Sequence, residues 1–339
     1  MSLDSALFAN LQKLLPEGAD RPARLLIEAE LVPLQGQRFQ PTGFPDIGAA
    51  TFEAKDGTHL LVESAQSMAN RLEATIWDEG KEELIAAAKG LSYVRVVKKD
   101  GTYLTSSITE AHRLNSPYIL EGEDRSVFEK IAQETGSSEG PASRKLLAKT
   151  LLRYDVNSLL HGVFLAKKEL AGGRFRLERA LSSFIEADGV HVAASGGVKN
   201  DHVNPAGDTA KGFGNVPFQR DEFTADRISA FFNLDLNLIR SYGLGQEVER
   251  LLVGLALFKI ATLLEGDLRL RTACDLRMKT CHVSAPEGYA LPKLSELQKA
   301  LPDLVKDCAT HFAVQDGGVT QVTCEVKAST KASKKNNES

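Results

Sequence analysis

The sequence predicts an α+β fold, and three consecutive segments in the second half of the chain carry that prediction. Apolar and polar residues alternate over residues 232–238, which is the period of a half-buried strand. Residues 246–265 form a strongly apolar helical pattern that ends at Gly266, and alternation resumes over residues 268–276. A strand, a helix and a strand at this spacing make half of a split βαβ unit of the ferredoxin-like type.

The first half of the chain supplies the other half of this core. Residues 24–32 alternate between apolar and acidic side chains and predict a strand that Pro33 ends. A helix is predicted over residues 64–77, with Ser64 as its N-cap. The remaining core strand is expected near residues 91–97 or within residues 174–187.

Insertions interrupt this core. Residues 93–97 and 102–105 predict a hairpin, because the intervening Asp-Gly favours a tight turn. Two basic helices are predicted over residues 143–153 and 156–170, and a long strand or bent hairpin arm over residues 174–187. Two segments rich in Gly, Pro, Asn and Asp predict irregular loops, namely residues 35–49 and 195–213.

These elements predict one elaborated domain over residues 1–326. Its core covers about residues 24–105 and 174–277, and a helical region at about residues 106–173 is inserted into it. The polar, basic residues 327–339 predict a disordered tail.

The composition is that of an ordinary globular protein. The chain has 339 residues, of which 42% are hydrophobic and 25% charged, with a formal net charge of −4, so disorder, collagen and coiled coil are excluded. Its four cysteines are too few for a disulfide scaffold, and no signal peptide is visible, which predicts a cytoplasmic protein. The longest apolar run, residues 251–264, contains Lys259 and is too short to cross a membrane.

Charge is unevenly distributed along the chain. Residues 141–181 contain nine Arg or Lys against three acids, whereas residues 110–140 contain three against seven. Phosphate binding depends on the local potential, so a basic stretch on a mildly acidic chain is compatible with RNA binding. The alternative is a solvated charged helix face.

Three segments are candidates for binding. In residues 36–48, glycines allow a ligand to approach the backbone, Arg38 offers a phosphate fork, and Phe39 and Phe44 offer faces for stacking bases. The helix at residues 64–77 places Gln66, Asn70 and Glu73 on one polar face. Residues 195–199 resemble a phosphate cradle with one Lys. The alternatives are an ordered structural loop, a surface helix and a hinge.

Catalytic and metal-binding patterns are weak. His112, His161, His191 and His202 are scattered without the spacing of metal ligands, and Cys274 with Cys281-His282 lacks a second pair of ligands. No GxSxG motif occurs. We therefore predict no catalytic residue, no metal site and no cofactor.

The motifs in combination resemble one family. Residues 36–48 (GQRFQPTGFPDIG) followed by residues 63–73 (ESAQSMANRLE) are similar to the CRISPR-associated backbone protein of type I-G (formerly I-U) systems. That family belongs to the RAMP superfamily of RNA-binding proteins. The resemblance runs over about residues 24–276. Its further matches are residues 115–118, 160–164, 179–182, 195–199 and 240–243.

The resemblance implies a modified RNA-recognition-motif core arranged like a hand, with a palm, finger-like insertions and a thumb, which is assigned to the inserted region at about residues 106–173. It implies a non-catalytic subunit that binds the guide RNA (crRNA), oligomerises head to tail along it and presents it for pairing with target DNA in antiviral defence. The implied partners are crRNA, the target DNA strand, other copies of the chain, the guide-processing subunit, the large subunit and the helicase-nuclease. No membrane is implied.

The resemblance and the side-chain chemistry together predict the residues that contact the backbone of the guide. They are Arg38, Gln40, Thr42 and Gly43 in the loop, Gln66, Asn70 and Arg71 on the helix, Arg174 and Arg176 on the basic strand, and Gly197 and Lys199 in the Gly-Gly segment. Any of them could instead lie in the joint between subunits. Two alternatives remain open, a metal-dependent endoribonuclease that cuts target RNA through Asp46 and a stand-alone single-strand RNA-binding module.

Overall fold

The computed structural model describes residues 5–18, 20–44, 48–135, 143–211, 213–314 and 318–325. Asp46 and the predicted tail at residues 327–339 lie outside these ranges. The α-helices of the described residues are α1 (Ser5–Leu14), α2 (Ala65–Ala74), α3 (Pro117–Leu120), α4 (Ser126–Thr135), α5 (Arg144–Tyr154), α6 (Asn157–His161), α7 (Leu236–Ser241), α8 (Gln246–Glu265) and α9 (Leu294–Asp307). None of these helices is both long enough and apolar enough to cross a bilayer.

The described part of the chain combines these helices with strands that pair antiparallel except for one parallel pair, Val319–Thr323 with Tyr93–Val97, so the predicted α+β class is confirmed. They are β1 (Arg24–Pro33), β2 (Gly43–Phe44), β3 (Gly48–Ala49), β4 (Thr51–Ala54), β5 (Gly57–Glu63), β6 (Trp77–Asp78), β7 (Glu83–Leu84), β8 (Tyr93–Val97), β9 (Tyr103–Ser106), β10 (Val163–Leu165), β11 (Phe175–Leu177), β12 (Leu181–Asp188), β13 (His191–Lys199), β14 (Val216–Thr224), β15 (Arg227–Asp235), β16 (Leu268–Arg271), β17 (Cys274–Ala285) and β18 (Val319–Thr323).

The chain divides into two compact units. The first unit is made from the described residues of 1–75, 180–238 and 253–300. The second unit is made from those of 76–179, 239–252 and 301–339. The prediction of one domain over residues 1–326, with a core and an inserted region, stays a prediction.

The first unit is built on a seven-stranded antiparallel sheet in the order β16-β17-β1-β15-β12-β5-β4. Its four middle strands are β1, β12, β15 and β17 in chain order, and they lie in the spatial order fourth, first, third, second. Along the chain, α2 comes between the first and second of these strands, and α8 between the third and fourth.

The alternation of β1 sets which face of the sheet is buried. Leu25, Ile27, Ala29 and Leu31 are all at most 2% exposed, as the sequence pattern predicts. On the opposite face, Glu28 accepts from Arg227 at 2.9 Å and Glu30 accepts from Lys279 at 2.7 Å. The ammonium of Lys279, hydrogen-bonded to Glu30, lowers the pKa of that carboxyl from its usual value.

Two alternating segments do not continue as single strands. Over residues 232–238 the strand ends at Asp235, because the Asp235 carboxylate accepts the backbone N–H of Leu238 at 2.9 Å and starts α7 there. Over residues 268–276 the chain turns back on itself, with Ala273 in a left-handed conformation (φ 60°). The result is the antiparallel pair β16 and β17. Alternation alone does not detect a tight turn whose residues keep the period.

The second unit carries its own small sheet, in the order β18-β8-β9. The hairpin predicted from Asp-Gly is confirmed as β8 and β9, but it belongs to this sheet. The remaining core strand of the large sheet is β12, which corresponds to the second of the two predicted positions, residues 174–187. Residues 174–187 are not one strand, since β11 pairs with β10 in the second unit.

The basic helices are partly as predicted. α5 is confirmed, and its N-cap Ser143 accepts the backbone N–H of Leu146 at 3.3 Å. The helix predicted over residues 156–170 is wrong, because α6 ends at His161. Gly162 follows with φ 76°, and a Cβ there would lie 2.8 Å from the carbonyl oxygen of Leu177. The close approach of these two backbones brings β10 beside β11.

Candidate functional site

The glycine-rich loop that follows β1 is held by main-chain hydrogen bonds along its length. Leu34 donates to the carbonyl of Asp275 at 2.8 Å, and Gln40 donates to that of Ala273 at 2.8 Å. Phe39 exchanges two backbone hydrogen bonds of 2.9 Å with Phe223. Thr42 donates to Val62 at 3.1 Å, and Gly43 pairs with Ala49. The backbone of the described loop residues is therefore held in place against the neighbouring strands.

Phe39 does not offer a face for base stacking. Its side chain is 1% exposed, because the backbone pairing with Phe223 turns the ring into the core. That part of the prediction is wrong. Gln40 and Thr42 are half-buried, whereas Arg38 and Gly43 are exposed, so the polar surface of the loop is narrower than its sequence indicates.

A polar cleft of about 360 Å³ lies beside this loop. It is lined by residues 34–38, by Arg220 and Glu222 of β14, and by Ala273 and Asp275. Glu222 is buried and holds both arginines, with Arg38 Nη1 at 3.4 Å from Oε2 and Arg220 Nη2 at 2.5 Å from Oε1. The Arg38 side chain is nevertheless 56% exposed. The cleft thus presents a guanidinium that is anchored at one edge and open to solvent at the other.

A second buried carboxylate fixes the other side of the loop. Glu63, at the end of β5, is 2% exposed and pairs with Arg271 and with Arg71, the latter at 3.5 Å. Arg271 also donates to the carbonyl of Gln40 at 3.0 Å. Arg71 donates to the carbonyls of Arg269 at 3.0 Å and Leu270 at 2.5 Å. Arg71 is among the residues predicted to contact the guide. Its guanidinium instead binds groups of the protein itself and positions β16, next to the β16–β17 turn.

α2 begins as predicted, since the Ser64 hydroxyl accepts the backbone N–H of Ser67 at 3.3 Å. Gln66 and Asn70 are exposed and one helical turn apart, so they share a surface. Glu73 is 2% exposed and lies with the buried Met68 and Leu72, which corrects its predicted place on the polar face.

Residues 195–199 form part of a strand and not the predicted loop. β13 pairs with β14 over nine positions, from His191 with Thr224 to Lys199 with Val216. A Cβ at Gly196 would lie 2.6 Å from the carbonyl oxygen of Phe218, so this glycine permits close pairing of the strands and does not form a cradle. Gly197 and Lys199 are both exposed on the hairpin.

The β13–β14 hairpin exposes an unusual amount of apolar surface. Val192 is 63% exposed, Val198 52% and Phe218 44%. The register pairs Gly197 with Phe218, so Val192 and Val198 lie on one face of the hairpin and Phe218 lies on the other. A two-stranded hairpin is marginally stable on its own, and exposed apolar side chains on both of its faces favour contact with a partner. The hairpin therefore has the character of a contact element.

Arg174 and Arg176 belong to the second unit. Arg176 lies on β11 opposite Phe164 of β10, and both side chains are exposed. Arg174, just before the strand, is exposed as well. These two arginines are on a different unit from the other predicted contacts.

The cysteines carry no reactive thiolate. Burial raises the pKa of Cys274 to about 11 and that of Cys308 to about 12, and it raises the pKa of Cys281 and Cys324 as well. These thiols are protonated at neutral pH and are poor nucleophiles. Within the residues that the structure describes, no three His, Cys, Asp or Glu side chains are grouped as metal ligands would be.

Sequence reasoning missed Arg220, Glu222 and Arg271, and it did not assign Glu63 a role. No local pattern distinguishes them, since each acts through a partner that is distant along the chain. The closest signal for a buried charged residue was Glu63, the first residue of the segment at 63–73, because it stands at the end of an apolar strand.

Comparison with known proteins gives one family. Residues 25–192 match the model of a family described as CRISPR-associated protein GSU0053. The matched segment is just under half of the chain and contains the glycine-rich loop and α2. Over that segment the chain is similar to the family. No curated protein sequence matches the chain significantly.

Two solved structures are similar at low identity. One is titled "CRISPR RNA-guided surveillance complex, pre-nicking", with 13% identity, a TM-score of 0.40, and coverage of 85% of this chain and 88% of that one. The other is the crystal structure of Thermofilum pendens Csc2, with 10% identity, a TM-score of 0.33, and coverage of 91% and 81%. Both TM-scores lie below 0.5, so neither structure assigns the fold or the role of this chain.

Proposed function

We propose that this chain is a non-catalytic, guide-RNA-binding backbone subunit of a type I CRISPR surveillance complex, of the I-G subtype. The observation that carries the proposal is the family match over residues 25–192, which includes the segments 36–48 and 63–73. The strand order of the sheet supports it, because fourth-first-third-second, with α2 between the first two of these strands along the chain and α8 between the last two, is the order expected of a ferredoxin-like core.

The geometry of the first unit supports binding of an RNA backbone without sequence preference. Arg38 is exposed but anchored by Glu222, so little side-chain entropy is lost when it binds a phosphate. Gln66, Asn70 and Lys199 add exposed hydrogen-bond donors. Contacts to phosphate and sugar fix a nucleic acid in register and leave its bases free to pair.

The β13–β14 hairpin is the element best suited to the thumb. The resemblance predicts a thumb, and the sequence placed it at about residues 106–173. The exposed Val198 and Phe218 favour the hairpin, because this apolar surface needs a partner. That partner is the guide or the next copy of the chain in a head-to-tail oligomer.

The remaining proposed partners are target DNA, the other effector subunits and the guide-processing subunit. The proposed location of the complex is the cytoplasm.

Assembly on a guide is the test of this function. We expect the purified chain to be monomeric and nearly free of RNA, and to form a large complex of defined size when a guide and the processing subunit are present. Size-exclusion chromatography with light scattering measures both states. Multiple copies per guide, with no dependence on spacer sequence, are the expected result.

Two outcomes would contradict this function. A monomer that does not bind guide RNA would contradict the backbone role, and binding of one copy per RNA would favour the stand-alone binding module.

The endoribonuclease alternative rests on Asp46. Incubating the complex with complementary RNA and Mg²⁺ tests it, and we expect intact RNA. Regular cuts that disappear in Asp46→Asn would make the chain an enzyme.

A charge substitution in each half of the proposed surface should change the salt dependence of RNA binding. Arg38→Ala and Lys199→Ala should each reduce the slope of log K against log salt by about 0.7, the value for one phosphate contact on a single strand. Fluorescence anisotropy with RNAs of two unrelated sequences measures the slopes. Lys279→Ala is the matched control, since Glu30 already binds that ammonium at 2.7 Å. A control slope that falls as far as the others would contradict the assignment.

A further inference from the structure

A second cleft, of about 610 Å³, lies in the second unit and is basic. One face of α5 lines it with Lys145, Lys149 and Arg153, which are four residues apart and therefore aligned along the helix. Its other walls are formed by Ser143, by three leucines (146, 152 and 244) and by Gly243, Thr310 and His311. The Nε2 of His311 lies 3.4 Å from Oε1 of Glu247, which is not itself part of the lining. No Asp or Glu is among the described residues that line it.

The two lysines differ from the other basic residues of α5. Arg144 is paired with Glu178 at 2.6 Å, and Arg153 is paired with Glu134 at 2.9 Å. Glu134 also accepts from the Tyr154 hydroxyl at 2.9 Å, so its charge is fully engaged. Lys145 and Lys149 are exposed, and the described part of the chain offers neither of them an acidic partner. Their charges face the cleft uncompensated.

The position of Lys145 is unfavourable for the helix itself. The first turn of α5 carries Arg144 and Lys145 and no acid. A helix N-terminus has a partial positive charge, so cations there are destabilising and anions stabilising. Glu178 offsets Arg144, but nothing described offsets Lys145. Natural proteins break such local rules mainly at functional or strained sites, and an anion bound by Lys145 would offset its repulsion from the helix N-terminus.

We propose that this cleft binds the phosphate groups of a nucleic-acid backbone through Lys145 and Lys149, as a contact distinct from the surface of the first unit. The inference rests on the proposed function for the identity of the polyanion. Two lysines one helical turn apart, with the Gly243 backbone close to the Lys145 stem, can bind adjacent phosphates as flexible point charges. Guide RNA and duplex DNA share this chemistry.

Anisotropy titrations of the full chain with two probes test the proposal. The probes are a labelled single-stranded RNA and a labelled DNA duplex, both of mixed sequence. Lys145→Gln/Lys149→Gln should weaken binding of at least one probe roughly tenfold or more at about 0.1 M salt. The salt slope should fall by about 0.7 per lysine for the RNA or about 0.9 for the duplex. Lys145→Arg/Lys149→Arg should restore affinity. Lys130→Gln on α4 is the single-charge control, since it removes one exposed lysine charge outside the cleft.

Each outcome decides between the possibilities. A loss in the RNA arm assigns the phosphates to single-stranded RNA, and a loss confined to the duplex arm assigns them to double-stranded DNA. Unchanged affinity in both arms, or equal loss in Lys130→Gln, overturns the cleft. In that case Arg38→Ala and Lys199→Ala still report on the proposed function. A wild-type chain that binds neither probe also overturns the cleft. Failure to assemble on a guide removes the proposed function, and the duplex arm still decides the cleft in that case.

Discussion

Replacing Glu63 with alanine should lower the free energy of unfolding by about 3 kcal/mol. Removing one partner of a buried ion pair costs about 3–5 kcal/mol, because the remaining charge is left uncompensated. The low end applies here, since the Arg71 and Arg271 side chains are 26% and 22% exposed and water can reach them in part. Urea denaturation followed by circular dichroism measures the loss as a shift in midpoint at unchanged slope.

The same substitution should also weaken RNA binding. Arg271 connects Glu63 to the carbonyl of Gln40, so the glycine-rich loop loses an anchor when the carboxylate is removed. Glu30→Ala is the control, because its ion pair with Lys279 lies at the surface, where ion pairs contribute little to stability. Equal losses of stability in the two variants would contradict the role assigned to Glu63.

Gly318→Ala should destabilise the second unit by about 2–5 kcal/mol. Gly318 has φ 66°, a conformation that costs an L-residue about 1–2 kcal/mol. A Cβ there would also collide with the carbonyl oxygens of Gly90 and Leu91, and forced overpacking costs about 1–3 kcal/mol more. These carbonyls belong to the backbone, so they cannot rotate aside as a side chain would. Thermal and urea unfolding of the variant measure the sum.

Gly101→Ala separates the two contributions. Gly101 has φ 84°, and nothing lies within 4 Å of the position where its Cβ would be. This variant therefore carries the conformational strain alone and should cost about 1–2 kcal/mol. If Gly318→Ala lowers the free energy of unfolding by no more than Gly101→Ala does, the close approach of Gly318 to the carbonyls of Gly90 and Leu91 does not contribute to the loss of stability.

The elements that sequence predicted well are those whose pattern is local. β1 alternates regularly along its length, α8 is a long apolar run that Gly266 ends, and the N-cap of α2 needs only Ser64 and its neighbours. Where prediction failed, a distant partner decided the structure. Gly162 ends α6 because of the carbonyl of Leu177, and Phe39 is buried because it pairs with Phe223.

The candidate site shows the same limit more strongly. Arg38, Gln66 and Asn70 could be selected from their chemistry, and they are exposed. Arg71 could not be told from them, although its acceptors at Arg269 and Leu270 hold it within the protein. Glu222 and Arg220 could not be found, since a buried carboxylate between two arginines is formed only when β14 meets the loop after β1.

The parallel pairing of β18 with β8 has a consequence for biosynthesis. β8 is complete at Val97, yet its partner begins at Val319, near the far end of the chain. Until residues 319–323 have been synthesised, β8 therefore has one unpaired edge that carries Val94 and Val96, both of which are at most 1% exposed after folding. Unpaired apolar edges recruit other strands. The nascent chain is thus prone to aggregation at β8 until β18 has left the ribosome and paired with it.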